Sequence, residues 1–328
     1  MRVSELGEWR IIEVLWSKLV KDPHEVLGVG DDVVARRIGK GKLIVAHVNT
    51  LTWKTDVLPG MKPHSIGYKS VIMNVSDMAA KGVKPLGMLF SLGLPKDYTV
   101  EDVAEIARGW RDAAIKYGLY VWGGDISEAT DLTVTGAIIG LAKEGQLISR
   151  KGAKAGDLIA CIGSFGLTSI AYMILLEGKE TKDKRIKIKA LKAAYYPKAY
   201  LKEGLRLAKT GVVTSSMDCS DGLAWSIHTL CRMNNVGAEI NEVPIPSEVW
   251  RYAEEHHLDP WDLALYGGEE YALIFTLKPE ALNVIPKGLA KKMCIMGKVT
   301  QDKKVRLVVK GRERDIEPRG WEHLKLRY

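Results

Sequence analysis

Carboxylates at the ends of apolar segments are the side chains of this sequence that could do chemistry. Met217-Asp218-Cys219-Ser220-Asp221-Gly222-Leu223 follows a β-branched run, Val212 to Thr214, and precedes an apolar-periodic segment from Leu223 to Met233. The pattern predicts a strand and then a helix, with Asp218 at the strand's end and Ser220 and Asp221 at the helix N-terminus. Side-chain oxygens of Asp and Ser accept the backbone N–H groups left over at a helix start, so capping alone accounts for one such residue. Two carboxylates three residues apart ask for more, and three further acidic turns share their setting. These are Asp31/Asp32 in Gly28-Val29-Gly30-Asp31-Asp32, Asp77 after Asn74-Val75-Ser76, and Asp125 in Gly123-Gly124-Asp125. Taken one at a time, each also reads as a turn or cap residue. Gathered in space, they would repel one another unless a cation lay between them. Hard oxygen donors suit Mg²⁺ or Ca²⁺, and Mg²⁺ on carboxylates commonly serves substrate phosphates. A Mg²⁺–nucleotide site is the chemistry that gives every one of these groups a task.

Other chemistries lack their residues. There is no GxxxxGK[ST] phosphate loop, no kinase HRD or DFG set, no GxGxxG fingerprint, no HExxH and no GxSxG elbow. The seven histidines are scattered, and Cys161, Cys219, Cys231 and Cys294 are far apart with no CxxC pair. Free thiols are expected rather than a disulfide framework or a thiolate metal site.

The elements that must position the acids alternate along the chain. Ser4 can cap a first helix carrying Leu6, Trp9, Ile12, Leu15 and Leu19, ended by Pro23 and the glycines at 28 and 30. Short strands are expected at Val33–Ala35, Lys42–Thr50, Pro85–Leu92, Leu119–Trp122 and Leu132–Ala142. A helix from Ser65 to about Lys81 holds Asp77 among apolar and small residues, where burial without a partner would be costly. Thr99 caps another helix that Gly118 stops. Strands and helices in alternation argue for an α/β or α+β architecture.

At 328 residues two domains are expected. The polar, basic stretch from Ser149 to Asp157 marks the boundary, giving an N-terminal domain of 1–148 and a C-terminal α/β domain of 149–328. With 46% hydrophobic and 27% charged residues, the composition is that of an ordinary globular protein. No apolar run approaches the ~18 residues of a membrane span, and the N-terminus lacks the apolar core of a signal peptide. A cytoplasmic location is expected. Most of the net charge of +8 sits in Lys179 to Lys192, with seven basic and two acidic residues. Such a local run reads as a solvated face or mobile loop, and no nucleic-acid-binding signature accompanies it.

The ordered set GVGDD, MNVSDMAAKGVKPLG, GGD, ISRKGAKAGDLI, MDCSDGL, YGGEEYALIFT and RGWEH resembles the thiamine-monophosphate kinase family, over roughly Gly28 to His323. That family falls in a superfamily with aminoimidazole ribonucleotide synthetase, selenophosphate synthetase and hydrogenase maturation enzymes, all ATP-using proteins with two α/β domains. The resemblance implies phosphoryl transfer from ATP to thiamine monophosphate, giving thiamine diphosphate and ADP with several Mg²⁺ ions and no protein nucleophile. It also implies a homodimer whose N-terminal mixed sheets join into a barrel. Carried onto this chain, it makes Asp32, Asp77, Asp125, Asp218 and Asp221 metal ligands. Gly124, Asp125, Arg150 and Ser220 would contact ATP, and Glu269 and Trp321 the thiamine part. The family usually shows Asp-Thr-Leu on its second strand; here Asn49-Thr50-Leu51 stands there, so Asn49 and Thr50 are expected at the metals. Asp56 occupies the position of a substrate-contacting His in many relatives and is expected at the acceptor or as an additional ligand. Two other readings keep the ATP site. One assigns another reaction of the superfamily, although selenophosphate synthesis would use an N-terminal Cys and none precedes Cys161. The other is a nucleotide-binding regulator without catalysis, suggested by Asn49.

Overall fold

Strands with one apolar side, and one helix with hardly any polar side, set the architecture. The computed structural model describes residues 3–322. Six strands form the first sheet: β1 (Glu25–Leu27), β2 (Val34–Gly39), β3 (Lys42–Thr52), β4 (Lys84–Leu94), β5 (Tyr120–Glu128) and β6 (Thr133–Lys143), in the order β1-β2-β3-β6-β4-β5. Only β4 and β5 run parallel. Seven strands form the second: β7 (Leu158–Ile162), β8 (Val213–Cys219), β9 (Gly237–Ile240), β10 (Ala272–Leu277), β11 (Cys294–Thr300), β12 (Val305–Val309) and β13 (Arg312–Asp315), in the order β13-β12-β9-β11-β7-β10-β8. There β12 and β9 are the parallel pair. Mixed sheets interleaved with helices make this an α/β protein, as expected.

The second sheet is covered on both sides. Along β10, Leu273 and Phe275 join one apolar cluster while Ala272 and Ile274 join another, as the two-residue period of a strand requires. The Leu223–Asn234 helix covers the second cluster. The first cluster runs on into the other sheet through the Pro63–Ala80 helix, which packs against β3, β4 and β6 on one side and β8 and β10 on the other. Nearly every residue of this central helix is buried, so it lies between the sheets rather than on the surface.

Several elements depart from the sequence expectation. The first helix is split at Gly7 (φ +74) into Val3–Leu6 and Glu8–Trp16, so Ser4 lies within a helical turn rather than before it. Gly123-Gly124-Asp125 is not a turn: β5 continues through it to Glu128. Gly124 packs so close to the Phe90 carbonyl that a Cβ would collide with it, and that approach keeps β5 paired to β4. The Leu223–Asn234 helix begins at Gly222 with no side-chain cap, so neither Ser220 nor Asp221 serves as one. Of the two expectations for the basic run, the solvated face holds and the mobile loop does not from Lys184 onward: Lys184, Arg185, Lys189 and Lys192 are exposed on a helix. That helix is Lys184–Tyr195, and Lys187 and Lys189 pair with Glu180 and Glu248. No helix among the described residues is long and apolar enough to cross a membrane.

Candidate active site

Strand alternation aims the acids at the central helix. On β8, Met217 and Cys219 turn into the second apolar cluster. Asp218 between them therefore faces the opposite way, where Ser76 of the central helix donates to its Oδ2 at 2.6 Å. On β3, Leu43, Val45 and Leu51 are buried, and His47 and Asn49 share their side. Both reach Asp77: Asn49 Nδ2 donates to Asp77 Oδ2 at 3.1 Å, and His47 Nε2 lies 3.1 Å from the same oxygen. Asp32 arrives from the glycine-containing loop before β2. Asp32, Asp77 and Asp218, all buried, each offer a carboxylate oxygen within 4.8 Å of the others'.

The charges around this trio are unequally matched. Lys81, fully buried at the end of the central helix, lies 2.6 Å from Asp31 Oδ1 and 2.7 Å from Asp32 Oδ2. Arg150 Nε donates to Asp32 Oδ1 at 2.6 Å, and its backbone N–H donates to Asp31 Oδ2 at 2.9 Å. Burial works to raise the Asp31 carboxyl, but Lys81 and the donors beside it prevail and hold it below the usual range. The other acids lack such partners. Burial, then the charges of Asp218 and Asp32, push Asp77 well above the carboxylate range. Burial likewise lifts Asp218 to about 7, and lifts Asp221 to about 7 with Asp218 and Glu8 adding to the effect. Burial lowers the His47 imidazole, so this ring is no cationic partner for Asp77. An all-oxygen trio with two under-compensated members fits a hard divalent cation, which would return Asp77 and Asp218 to their charged form.

All three acids line one cleft, and Asp32 lines a second that adjoins it. One, of about 510 Å³, is walled by Asp56, Tyr172, Glu269 and Ser220 and reaches Asp77 and Asp218. The other, of about 640 Å³, is walled by Trp9, Ile12 and Trp225 and by Val34 and Val48 of the first sheet. Asp31, Asp32, Asn49, Arg150, Asp221 and Trp321 line both. Gly320 and Trp321 lie across Asp221: the Trp321 N–H donates to its carbonyl at 3.0 Å, and Gly320 is pressed against the same carbonyl, where a Cβ would not fit. His323 of the terminal motif lies outside the described residues.

Of the residues singled out in the sequence, Asp32, Asn49, Asp77, Arg150, Asp218, Ser220, Asp221, Glu269 and Trp321 therefore gather at one place. Asn49 stands there as a donor to a carboxylate. Asp56 lines the smaller cleft, but its Oδ2 is engaged by the Thr52 N–H at 2.8 Å and by the Thr55 hydroxyl at 2.8 Å. Thr50 also lines the smaller cleft, and its hydroxyl meets that of Thr135 at 2.9 Å. Gly124 and Asp125 stand apart. Thr50, Thr135, Ser91 and Asp125 are successive register partners across β3, β6, β4 and β5. Asp125 is thus three strands, roughly 14 Å, from Thr50.

Four further residues take part without belonging to any acidic motif: Lys69, Lys81, His47 and Tyr172. Lys69 and Lys81 flank Asp77 at spacings of eight and four along an otherwise apolar helix, and a lysine in such a helix is itself a signal. His47 and Tyr172 carried none, because only the register of β3 and the packing of the Leu167–Glu177 helix bring them in.

The chain matches the AIR synthase related protein N-terminal domain over residues 30–142 and the corresponding C-terminal domain over 154–310. It is 34% identical to the thiamine-monophosphate kinase of Pyrococcus horikoshii, covering 90% of this chain and 91% of that one. Identity to the enzyme of that name from Nitrosopumilus maritimus is 31%, covering 98% and 100%. Among solved structures, AaThiL complexed with AMPPCP and TMP superposes with a TM-score of 0.86 at 29% identity, covering 98% of this chain and 99% of that one. With both halves matched and whole-length relatives above 30% identity, the chain belongs to the thiamine-monophosphate kinase family of AIR synthase related proteins.

Proposed function

We propose that the chain transfers the terminal phosphoryl group of ATP to thiamine monophosphate, giving thiamine diphosphate and ADP. The observation that carries this reading is the Asp32–Asp77–Asp218 trio lining the smaller cleft, with Asp32 shared with the larger one. Two anionic substrates, one in each cleft, would bring their phosphates together near Asp32. The relative solved with AMPPCP, an ATP analogue, and TMP supports the same pairing of ligands. The larger cleft, with the indoles of Trp9 and Trp225, offers stacking surfaces to a purine. The smaller one, with Glu269 and the indole of Trp321, suits a cationic heterocycle.

Mg²⁺ held by Asp32, Asp77 and Asp218, with Asp221 beside them, would neutralise the charge on the transferring group. The protein's own tasks are positional. Arg150 supplies a fixed positive charge between the clefts, and Asn49 and Ser76 orient Asp77 and Asp218. An acceptor phosphate oxygen is already anionic at neutral pH, so no side chain has to act as nucleophile or strong base, and the site holds no thiol or charged imidazole for that role.

The functional unit is a homodimer on this reading. β5 is an edge strand with every residue exposed, and Ile44, Val48, Leu89 and Leu141 leave apolar surface uncovered on the first sheet. Edges and apolar faces of this kind are ordinarily covered by another chain. Pairing of two such sheets would bring a second copy's Gly124 and Asp125 toward a site they cannot reach within their own chain.

Incubation of the purified protein with Mg²⁺–ATP and thiamine monophosphate, followed by chromatographic separation, tests the reading. Thiamine diphosphate and ADP in equal amounts are expected, with none from thiamine itself. A folded sample that forms neither across a range of Mg²⁺ concentrations would overturn it.

A further inference from the structure

Lys69 of the central helix is fully buried, and its ammonium group ties the two halves of the chain together beside the smaller cleft. Nζ lies 2.5 Å from Glu269 Oε1 and donates to the Asp56 carbonyl at 2.9 Å. Glu269 belongs to the second half and Asp56 to the first. The other carboxylate oxygen of Glu269 accepts from the Tyr172 hydroxyl at 2.7 Å. The backbone is constrained as well: Glu269 has φ +61, a left-handed conformation that a non-glycine residue adopts at a cost. Its N–H donates to the Ser220 carbonyl at 2.6 Å, which holds it there. Glu269 and Tyr172 face the cleft, whereas Lys69 does not line it.

We propose that Lys69 is the positioning residue of the acceptor site, holding the Glu269 carboxylate and the Asp56 turn at the separation that a cationic heterocycle requires. The proposal rests on the kinase reading above and adds a specificity determinant to it. A carboxylate held from two sides by Lys69 and Tyr172 presents a fixed edge to the cleft and loses little freedom when a ligand arrives. Because Lys69 spans the halves, any shift of the second sheet against the central helix would move Glu269 away from the Asp56 turn. Asp32 of the trio is held by Lys81 and Arg150, and Asp77 and Asp218 by Asn49 and Ser76, so the nucleotide side does not depend on Lys69.

The test is steady-state kinetics of Lys69→Met and Lys69→Arg against both substrates, with urea unfolding as a control. For Lys69→Met, the KM for thiamine monophosphate is expected to rise about tenfold or more, as for removal of one partner of a buried charge pair. The KM for ATP should stay within about twofold, and Lys69→Arg should recover most of the acceptor KM. Should Lys69→Met not fold, Tyr172→Phe loosens the same carboxylate without removing a charge and is expected to raise the acceptor KM alone. An equal rise in both KM values, or lost stability with an unchanged acceptor KM in the variants that fold, would overturn the proposal. Wild-type protein that forms no thiamine diphosphate would instead overturn the kinase reading, and the Lys69 proposal with it.

Discussion

At the scale of single residues, the acids divide into those with a cationic partner and those without. Asp31 and Asp32 share Lys81 and Arg150, whereas Asp77 and Asp218 have only neutral donors, Asn49 and Ser76, to set against mutual repulsion. Asp218 and Asp221 titrate at about 7, and Glu270, buried against the start of the Leu167–Glu177 helix, at about 8. Because these values lie above those of the unfolded chain, the folded state holds more protons between roughly pH 4 and 8, and stability falls as pH rises through that window. Metal-free protein should therefore melt at a lower temperature at pH 8 than at pH 5. Mg²⁺ should reverse much of the difference by favouring the ionised carboxylates. Asp218→Asn removes one of the repelling charges. It is expected to flatten the pH dependence and raise the metal-free melting temperature, while cutting transfer by roughly 100-fold or more through weaker metal binding. A variant with wild-type rate and a lowered melting temperature would return Asp218 to a purely structural role.

At the scale of elements, the central helix is the device that assembles the site. Lys69, Met73, Asp77 and Lys81 recur every four residues, so they follow one slowly winding stripe about 18 Å long. The stripe offers a cation to Glu269 at one end, a carboxylate to the trio in the middle and a cation to Asp31 and Asp32 at the other end. The helix can carry these charges in an apolar setting because each finds its counterpart on a loop or strand of one half or the other. Lys81→Met would leave two buried aspartates with Arg150 alone, a loss expected to cost about 3–5 kcal/mol of unfolding free energy in urea. A change below about 1 kcal/mol would mean that the aspartates are protonated in the folded protein and do not need the lysine.

At the scale of the whole molecule, the site within one chain lacks the Gly124-Asp125 pair. Trp122, half exposed on β5 with its indole over Gly87, lies on the apolar surface that a second copy would cover. Light scattering during size exclusion should give the mass of two chains for the wild type. Trp122→Glu places a charge in that surface and is expected to give a single-chain mass with nearly unchanged melting and at least tenfold less transfer. A single-chain variant with full rate would remove Asp125 from the chemistry.

What the sequence by itself determined is the kind of chemistry and the segments that carry it. Acid-bearing motifs, helix stops and apolar periods are local properties, so the loop with Asp31/Asp32, the strand-to-helix junction with Asp218/Asp221 and the helix with Asp77 were legible from spacing alone, and their order carried the family resemblance. Tertiary structure decided which of them meet. Register across four strands separates Asp125 from Thr50, and the alternation of β8 turns Asp218 toward Ser76 rather than into a helix cap. It also decided which charges are balanced: Lys69 and Lys81 read as two more lysines in a basic chain until the fold buries them completely. A charge acquires its energetic weight from its surroundings, and for these residues the surroundings come from the opposite half of the chain and from loops outside the helix.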